Sequence, residues 1–162
     1  MATLYAQTTQ NTFSNFNWNG ANDNYAWSFK PSVTGIPTSI TINLAGISGT
    51  PTGNLYIKAD KTAASTTYGT ASSVTFTGSG DNIFTITGGS QITANTEYYV
   101  YFQRTSGSSA YPQIRYNTSL TNYVTYRSTS SNVDPSTVWF SYDITMTISG
   151  TTATNSNMLL FF

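Results

Sequence analysis

The chain has 162 residues, no formal net charge, and only 7% Asp, Glu, Lys and Arg, against about a quarter in ordinary globular proteins. It holds neither cysteine nor histidine, which removes disulfides, thiolate metal sites, the commonest general base and the usual pH switch. Its few basic residues are scattered and leave no electrostatic footprint for nucleic acid.

What remains is a β composition. Thr, Ser and Asn make up about two-fifths of the chain, and 15% is aromatic, with 12 Tyr. β-branched and aromatic residues favour strands, while Gly, Asn, Ser and Pro favour turns. The opening "MATLYAQTTQ" has no basic region followed by an apolar one, so no signal peptide is expected. No apolar run approaches the roughly 18 residues of a membrane span. The initial Met points to a whole gene product made in a cytoplasm.

Along the chain, residues 3–8, 13–18 and 25–29 read as weaker strands. In "TSITINLAG", Ile40, Ile42 and Leu44 share a face against Thr41 and Asn43. "NLYIKAD" sets Leu55, Ile57 and Ala59 against Tyr56 and Lys58. Residues 61–68 are too short and Thr-rich for a helix and read as a loop. Val74 pairs with Phe76, and Phe84 with Ile86. "TEYYVYFQR" puts Tyr98, Val100 and Phe102 on one face and Tyr99, Tyr101 and Gln103 on the other. "PQIRYN" and "NYVTYRS" follow as strands. The longest run, "TVWFSYDITMTIS", aligns Val138, Phe140, Tyr142, Ile144, Met146 and Ile148, and predicts one long central strand. Turn signals such as "GISGTPTGN", "GSGDN" and "NVDPS" recur every 8–12 residues or so, giving about nine to eleven short strands. The expectation is an all-β, antiparallel β-sandwich over residues 1–149 as a single domain. Residues 150–162 are expected to be a polar spacer plus a hydrophobic tail.

"LAGISGTPTGNLYIKAD" reads as a strand, a Gly/Pro turn and an inward-alternating strand, and "QITANTEYYVYFQRTSG" follows about forty residues on. This pairing resembles jelly-roll β-sandwiches of the carbohydrate-binding-module-like type, found in phage and other virion surface proteins and in secreted bacterial modules. Ile92 and Ala94 fit the pattern; Asn95 stands where Gly is usual. The resemblance covers roughly residues 36–148. It implies a jelly-roll-like fold and a binding or structural role.

Chemistry for catalysis is thin. Nucleophilic triads need a His, and the six carboxylates, Asp23, Asp60, Asp81, Glu97, Asp134 and Asp143, sit singly rather than in the pairs that glycoside hydrolysis uses. Asp143 reads as an outward polar residue on a half-exposed sheet. The expectation is therefore no enzyme, no cofactor and no metal site. "NGANDN" (Asn19, Asn22, Asp23, Asn24) and "GSGDN" (Asp81, Asn82) carry oxygen ligands of the calcium type, but such Asx residues more often form turns with their own backbone. The sequon at Asn117 reads as chance in a chain without a signal peptide.

The aromatic and basic residues Tyr99, Tyr101, Arg115, Tyr116, Tyr126, Arg127 and Trp139 are candidate contacts. Three readings stay open: cross-strand pairing, a protein interface, or a glycan site of stacked rings and hydrogen-bonding side chains. The last five residues, Met158, Leu159, Leu160, Phe161 and Phe162, are expected to be buried, either in the same domain or as an anchor in a neighbour, because exposed they would be a sticky patch.

These readings lead to an expected non-enzymatic structural protein of a phage or similar particle, a capsid decoration or fibre-type subunit at the virion surface. Its expected partners are other copies of itself and a capsid or other virion protein, with no nucleic acid and no membrane. The alternatives are a carbohydrate-binding module or adhesin that recognises cell-surface glycan, and a subunit of a self-assembling extracellular filament.

Overall fold

The computed structural model describes residues 1–15, 24–106, 111–128 and 134–152. Every regular element among them is a strand: β1 (Ala2–Gln7), β2 (Thr12–Asn15), β3 (Tyr25–Phe29), β4 (Gly35–Ser48), β5 (Thr52–Lys58), β6 (Thr67–Thr75) and β7 (Gly80–Thr85). They continue with β8 (Tyr98–Ser106), β9 (Tyr111–Asn117), β10 (Thr125–Arg127), β11 (Thr137–Phe140), β12 (Asp143–Ile144) and β13 (Met146–Thr152). The strands form two antiparallel sheets packed face to face, a β-sandwich.

The first sheet is built on β4, whose 14 residues are the longest element. Ile40 lies opposite both Phe84 of β7 and Ile148 of β13, and Leu44 lies opposite both Gly80 of β7 and Ile114 of β9. So β7 flanks β4 on one side, and β13 and then β9 flank it on the other. β1 lies beyond β13, β2 beyond β9, and β12 beside the C-terminal end of β9. The second sheet has the order β11-β10-β3-β8-β5-β6. Along one flank the connection from β7 to β8 bonds to both sheets: Thr87 exchanges a pair of backbone hydrogen bonds with Thr70 of β6, and Ile92 with Gly35 of β4.

Alternation fixes the core. Ile40, Ile42 and Leu44 from the first sheet meet Tyr98, Val100 and Phe102 from the second, and all six are buried. Leu55 and Ile57 of β5, Val74 and Phe76, and Phe84 and Ile86 complete the rows as their spacing predicts. β1 and β13 pair from Ala2 opposite Gly150 to Gln7 opposite Met146, joining the two ends of the described fold.

The long run from Val138 to Ile148 is not one strand, which raises the number of elements among the described residues to 13. β11 is the edge of the second sheet, and β12 and β13 belong to the first, so the chain crosses the sandwich at Ser141 and Tyr142. A register shift puts Val138 opposite Tyr126 and Phe140 opposite Thr125. Such a bulge breaks the period of two, so Val138 is 52% exposed while Ile144, Met146 and Ile148 are in the core. Asp143 is also not outward: it is 2% exposed, because the turn after β9 folds over it. β13 runs on through Gly150 and Thr151 to Thr152, opposite Pro37, Ile36 and Gly35. The sheet thus extends beyond residue 149. At Gly150 a β-carbon would press on the Ile36 carbonyl and the Leu4 side chain, so only glycine lets β13 pass that close. The tail from Met158 to Phe162 lies outside the described residues.

Candidate functional site

Three of the seven candidate contact residues share one surface, the outer face of the second sheet. Tyr126, Ala26, Tyr101 and Tyr56 form one row across β10, β3, β8 and β5. Ser28, Tyr99 and Lys58 form the next. The Tyr56 and Tyr101 rings are 6.1 Å apart between centroids, and so are those of Tyr99 and Tyr126.

Part of this face is roofed by the chain itself. Lys58 Nζ donates to the carbonyls of Ala63 at 2.8 Å and Ser65 at 3.1 Å, and to Thr67 Oγ1 at 3.1 Å. The same ammonium sits 5.3 Å from the Tyr56 ring and 5.8 Å from the Tyr101 ring, within cation–π range. The Ala63 N–H donates to Asp134 Oδ1 at 2.6 Å, and the Tyr101 hydroxyl bonds the same carboxylate. Residues 59–66 are thereby held down over the sheet. Burial pulls the Lys58 pKa below its ordinary value, against the opposing pull of the Asp134 charge. Tyr101 is 1% exposed, so it belongs to this internal network and offers no contact surface.

Tyr99 and Tyr126 stay half-buried at the open end of the face. The Tyr99 hydroxyl donates to Glu97 Oε1 at 2.8 Å, and burial, followed by this carboxylate, pushes its pKa up. Lys61 Nζ lies 4.9 Å from the Tyr126 ring centroid. The Tyr99 and Tyr126 planes are inclined at 56°, so the pair is not the flat platform on which a sugar face stacks.

The other candidates lie elsewhere. Arg115 is on β9 of the first sheet, opposite Phe13, and its Nε donates to the Leu44 carbonyl at 3.3 Å. Tyr116, its neighbour, points to the other side of β9, packs against the core and stacks on Tyr142 at 5.5 Å and 13°. Arg127 shares a row with the buried Tyr25. Trp139 lies on the edge strand β11, and its side chain is outside the described residues. Among the described residues no three metal-ligating side chains converge. In "GSGDN", Asn82 closes the turn itself: its Oδ1 accepts the Thr77 N–H, and its Nδ2 donates to the Gly78 and Gly80 carbonyls. The Asn117 side chain accepts the Ser119 N–H two residues on and donates to Thr9 Oγ1, 108 positions away.

A different set of residues was not singled out from sequence. Among the described residues, β2, β7 and β11 each pair on one side only, with β9, β4 and β10. Each carries an exposed apolar side chain: Phe13 at 49%, Ile83 at 68% and Val138 at 52%. β2 and β11 hold no charged residue at all. Soluble proteins usually blunt such edges with Lys, Pro or inward charges. Ile83 could have been flagged as the outward neighbour of Phe84, but that it lies on an edge depends on the pairing of distant strands.

No protein-family model matches this chain, and no curated protein or solved structure matches it either.

Proposed function

We propose that this is a non-enzymatic structural protein of a virus particle, a surface decoration or fibre-type subunit held by protein–protein contacts. The observation that carries the proposal is that three of the strands paired on one side only among the described residues, β2, β7 and β11, each carry an exposed large apolar side chain, and that two of these three hold no charge. An unpaired strand edge offers a row of backbone donors and acceptors to another chain. Phe13 and Val138 would add apolar anchors at two such edges. Near-zero net charge fits the same reading, since charge repulsion does little to keep copies apart. The phage setting rests on the resemblance in residues 36–148.

Light scattering on the full chain tests the assembly, beside Phe13→Lys and Val138→Lys, which put a gatekeeper charge on each uncharged edge. The expected result is a defined oligomer, or saturable co-sedimentation with the particle, that at least one Lys variant abolishes. A chain that stays monomeric at its solubility limit and never co-sediments overturns the reading.

A further inference from the structure

We propose that β7 is a two-fold pairing edge, on which a second copy of this chain seats its own β7 antiparallel, with Ile83 opposite Ile83. The inference rests on the assembly reading above and names the partner and the register at one of its edges.

The backbone of β7 faces two ways. The Ile86 N–H donates to the Thr38 carbonyl, in the register that sets Phe84 opposite Ile40 and Asn82 opposite Ile42. Hydrogen-bonded pairs alternate along an antiparallel ladder. The even-numbered residues therefore bond β4, and the odd-numbered ones turn their N–H and C=O away from it. Thr87 shows this directly, since it exchanges its pair of bonds with Thr70 of β6. Asp81, Ile83 and Thr85 face the same way, and no backbone hydrogen bond among the described residues reaches them on that side. The open stretch has definite ends. β6 holds Thr87 at one, and at the other Gly80, with φ 92°, turns the chain out of the strand. Cover over the core is thinnest on the same flank: Phe84 at 8% and Val74 and Ile86 at 7% are the most exposed members of the buried core among the described residues.

The side chains of the open stretch select a second copy. Pairing the strand with itself about Ile83 sets Asp81 opposite Thr85 of the second copy, and Thr85 opposite its Asp81. Each of these facing pairs exchanges two backbone hydrogen bonds. Ile83, 68% exposed in the single chain, packs on its own counterpart. The Thr85 hydroxyl can donate to the facing Asp81 carboxylate, and two-fold symmetry makes that pair twice. The two Asp81 charges stand four residues apart along the ladder, about 14 Å, beyond the Debye length of about 8 Å at physiological salt. A register shifted by two residues does worse. It sets Thr85 opposite Ser79, beyond the Gly80 turn, or Asp81 opposite Thr87, whose backbone β6 already holds.

The test is sedimentation equilibrium of the full chain over a range of concentrations, beside Ile83→Lys, Thr85→Asp and Thr85→Lys. Both positions are exposed, and circular dichroism confirms that each variant is folded. The parent should associate reversibly. Ile83→Lys and Thr85→Asp should each weaken association by about tenfold, because each sets like charges opposite one another. Thr85→Lys should strengthen it, because it sets a cation opposite Asp81. Parent-like association of Ile83→Lys overturns the inference and leaves the assembly reading standing on Phe13 and Val138. Equal weakening by both Thr85 variants also overturns it, since the contact then lacks this register. A parent that stays monomeric but co-sediments with the particle, and loses this on Ile83→Lys, gives the edge to a different protein and overturns it as well. A chain that neither associates nor co-sediments overturns both readings.

Discussion

The Asp143 carboxylate accepts the backbone N–H of Tyr123 at 2.9 Å across 20 positions of sequence. The Asn122 amide donates to its other oxygen at 3.2 Å, and the Asp143 N–H donates to the Leu120 carbonyl. One buried residue of β12 thus holds the turn that carries the chain from β9 of the first sheet to β10 of the second.

Replacing Asp143 by Ala should therefore cost about 1–3 kcal/mol, since a part-buried N–H loses its acceptor. Asp143→Asn keeps one oxygen and should cost less. Urea unfolding followed by circular dichroism measures both. An Ala variant as stable as the parent would show that solvent satisfies this turn.

Alkaline pH should destabilise the fold through its tyrosines. Burial, as the leading cause, raises the pKa of Tyr5, Tyr99, Tyr101 and Tyr123 above the ordinary 10.0; for Tyr5 the Asp143 charge adds to it. Above pH 10.0 the unfolded chain releases these protons while the folded chain keeps them. Their contribution is complete below that pH and is lost as pH rises beyond it. Tyrosinate absorbance should then lag behind the titration of free tyrosine and rise together with loss of β signal. A full titration of all 12 tyrosines with the fold intact would contradict this.

Lys58 should matter for one loop. Its ammonium has three acceptors in or next to residues 59–66, so Lys58→Met should lower stability by roughly 1–3 kcal/mol. Limited proteolysis should cut the variant first within residues 59–66. Cleavage unchanged from the parent would mean that the bond from Ala63 to Asp134 holds the loop by itself.

Asn95 adopts φ 62°, the left-handed region that Asn tolerates and β-branched residues avoid. Its N–H donates to the Pro31 carbonyl at 2.8 Å. Asn95→Gly should be close to neutral, whereas Asn95→Val should cost on the order of 1–2 kcal/mol. Thermal melts of the pair give the comparison, and equal melting temperatures would refute it. The position where Asn replaces an expected Gly is thus one whose backbone needs what those two residues share.

Much of the fold was legible because strand alternation is local. Successive side chains must point to opposite faces, so Tyr98, Val100 and Phe102 are separated from Tyr99 and Tyr101 by covalent geometry alone. The same rule placed Ile40, Ile42 and Leu44, and the absence of any helical period fixed the class. The site was less legible. Parity put Tyr99 and Tyr101 on one face, but that Tyr126 joins them depends on β10 pairing with β3, and nothing local showed that residues 59–66 would roof Tyr101, because the bond that secures the roof joins Ala63 to a residue 71 positions away.

Sequence by itself determined the strand class, the inward rows of the core and the poverty of catalytic groups, since each follows from residue type and near-neighbour spacing. Only the tertiary structure decided that the run from Val138 to Ile148 divides between two sheets, that Asp143 is buried, and that among the described residues β2, β7 and β11 pair on one side only. Alternation tells a side chain which way to point relative to its neighbours. What lies on either side depends on pairings between segments far apart in the chain, whose order no local pattern encodes.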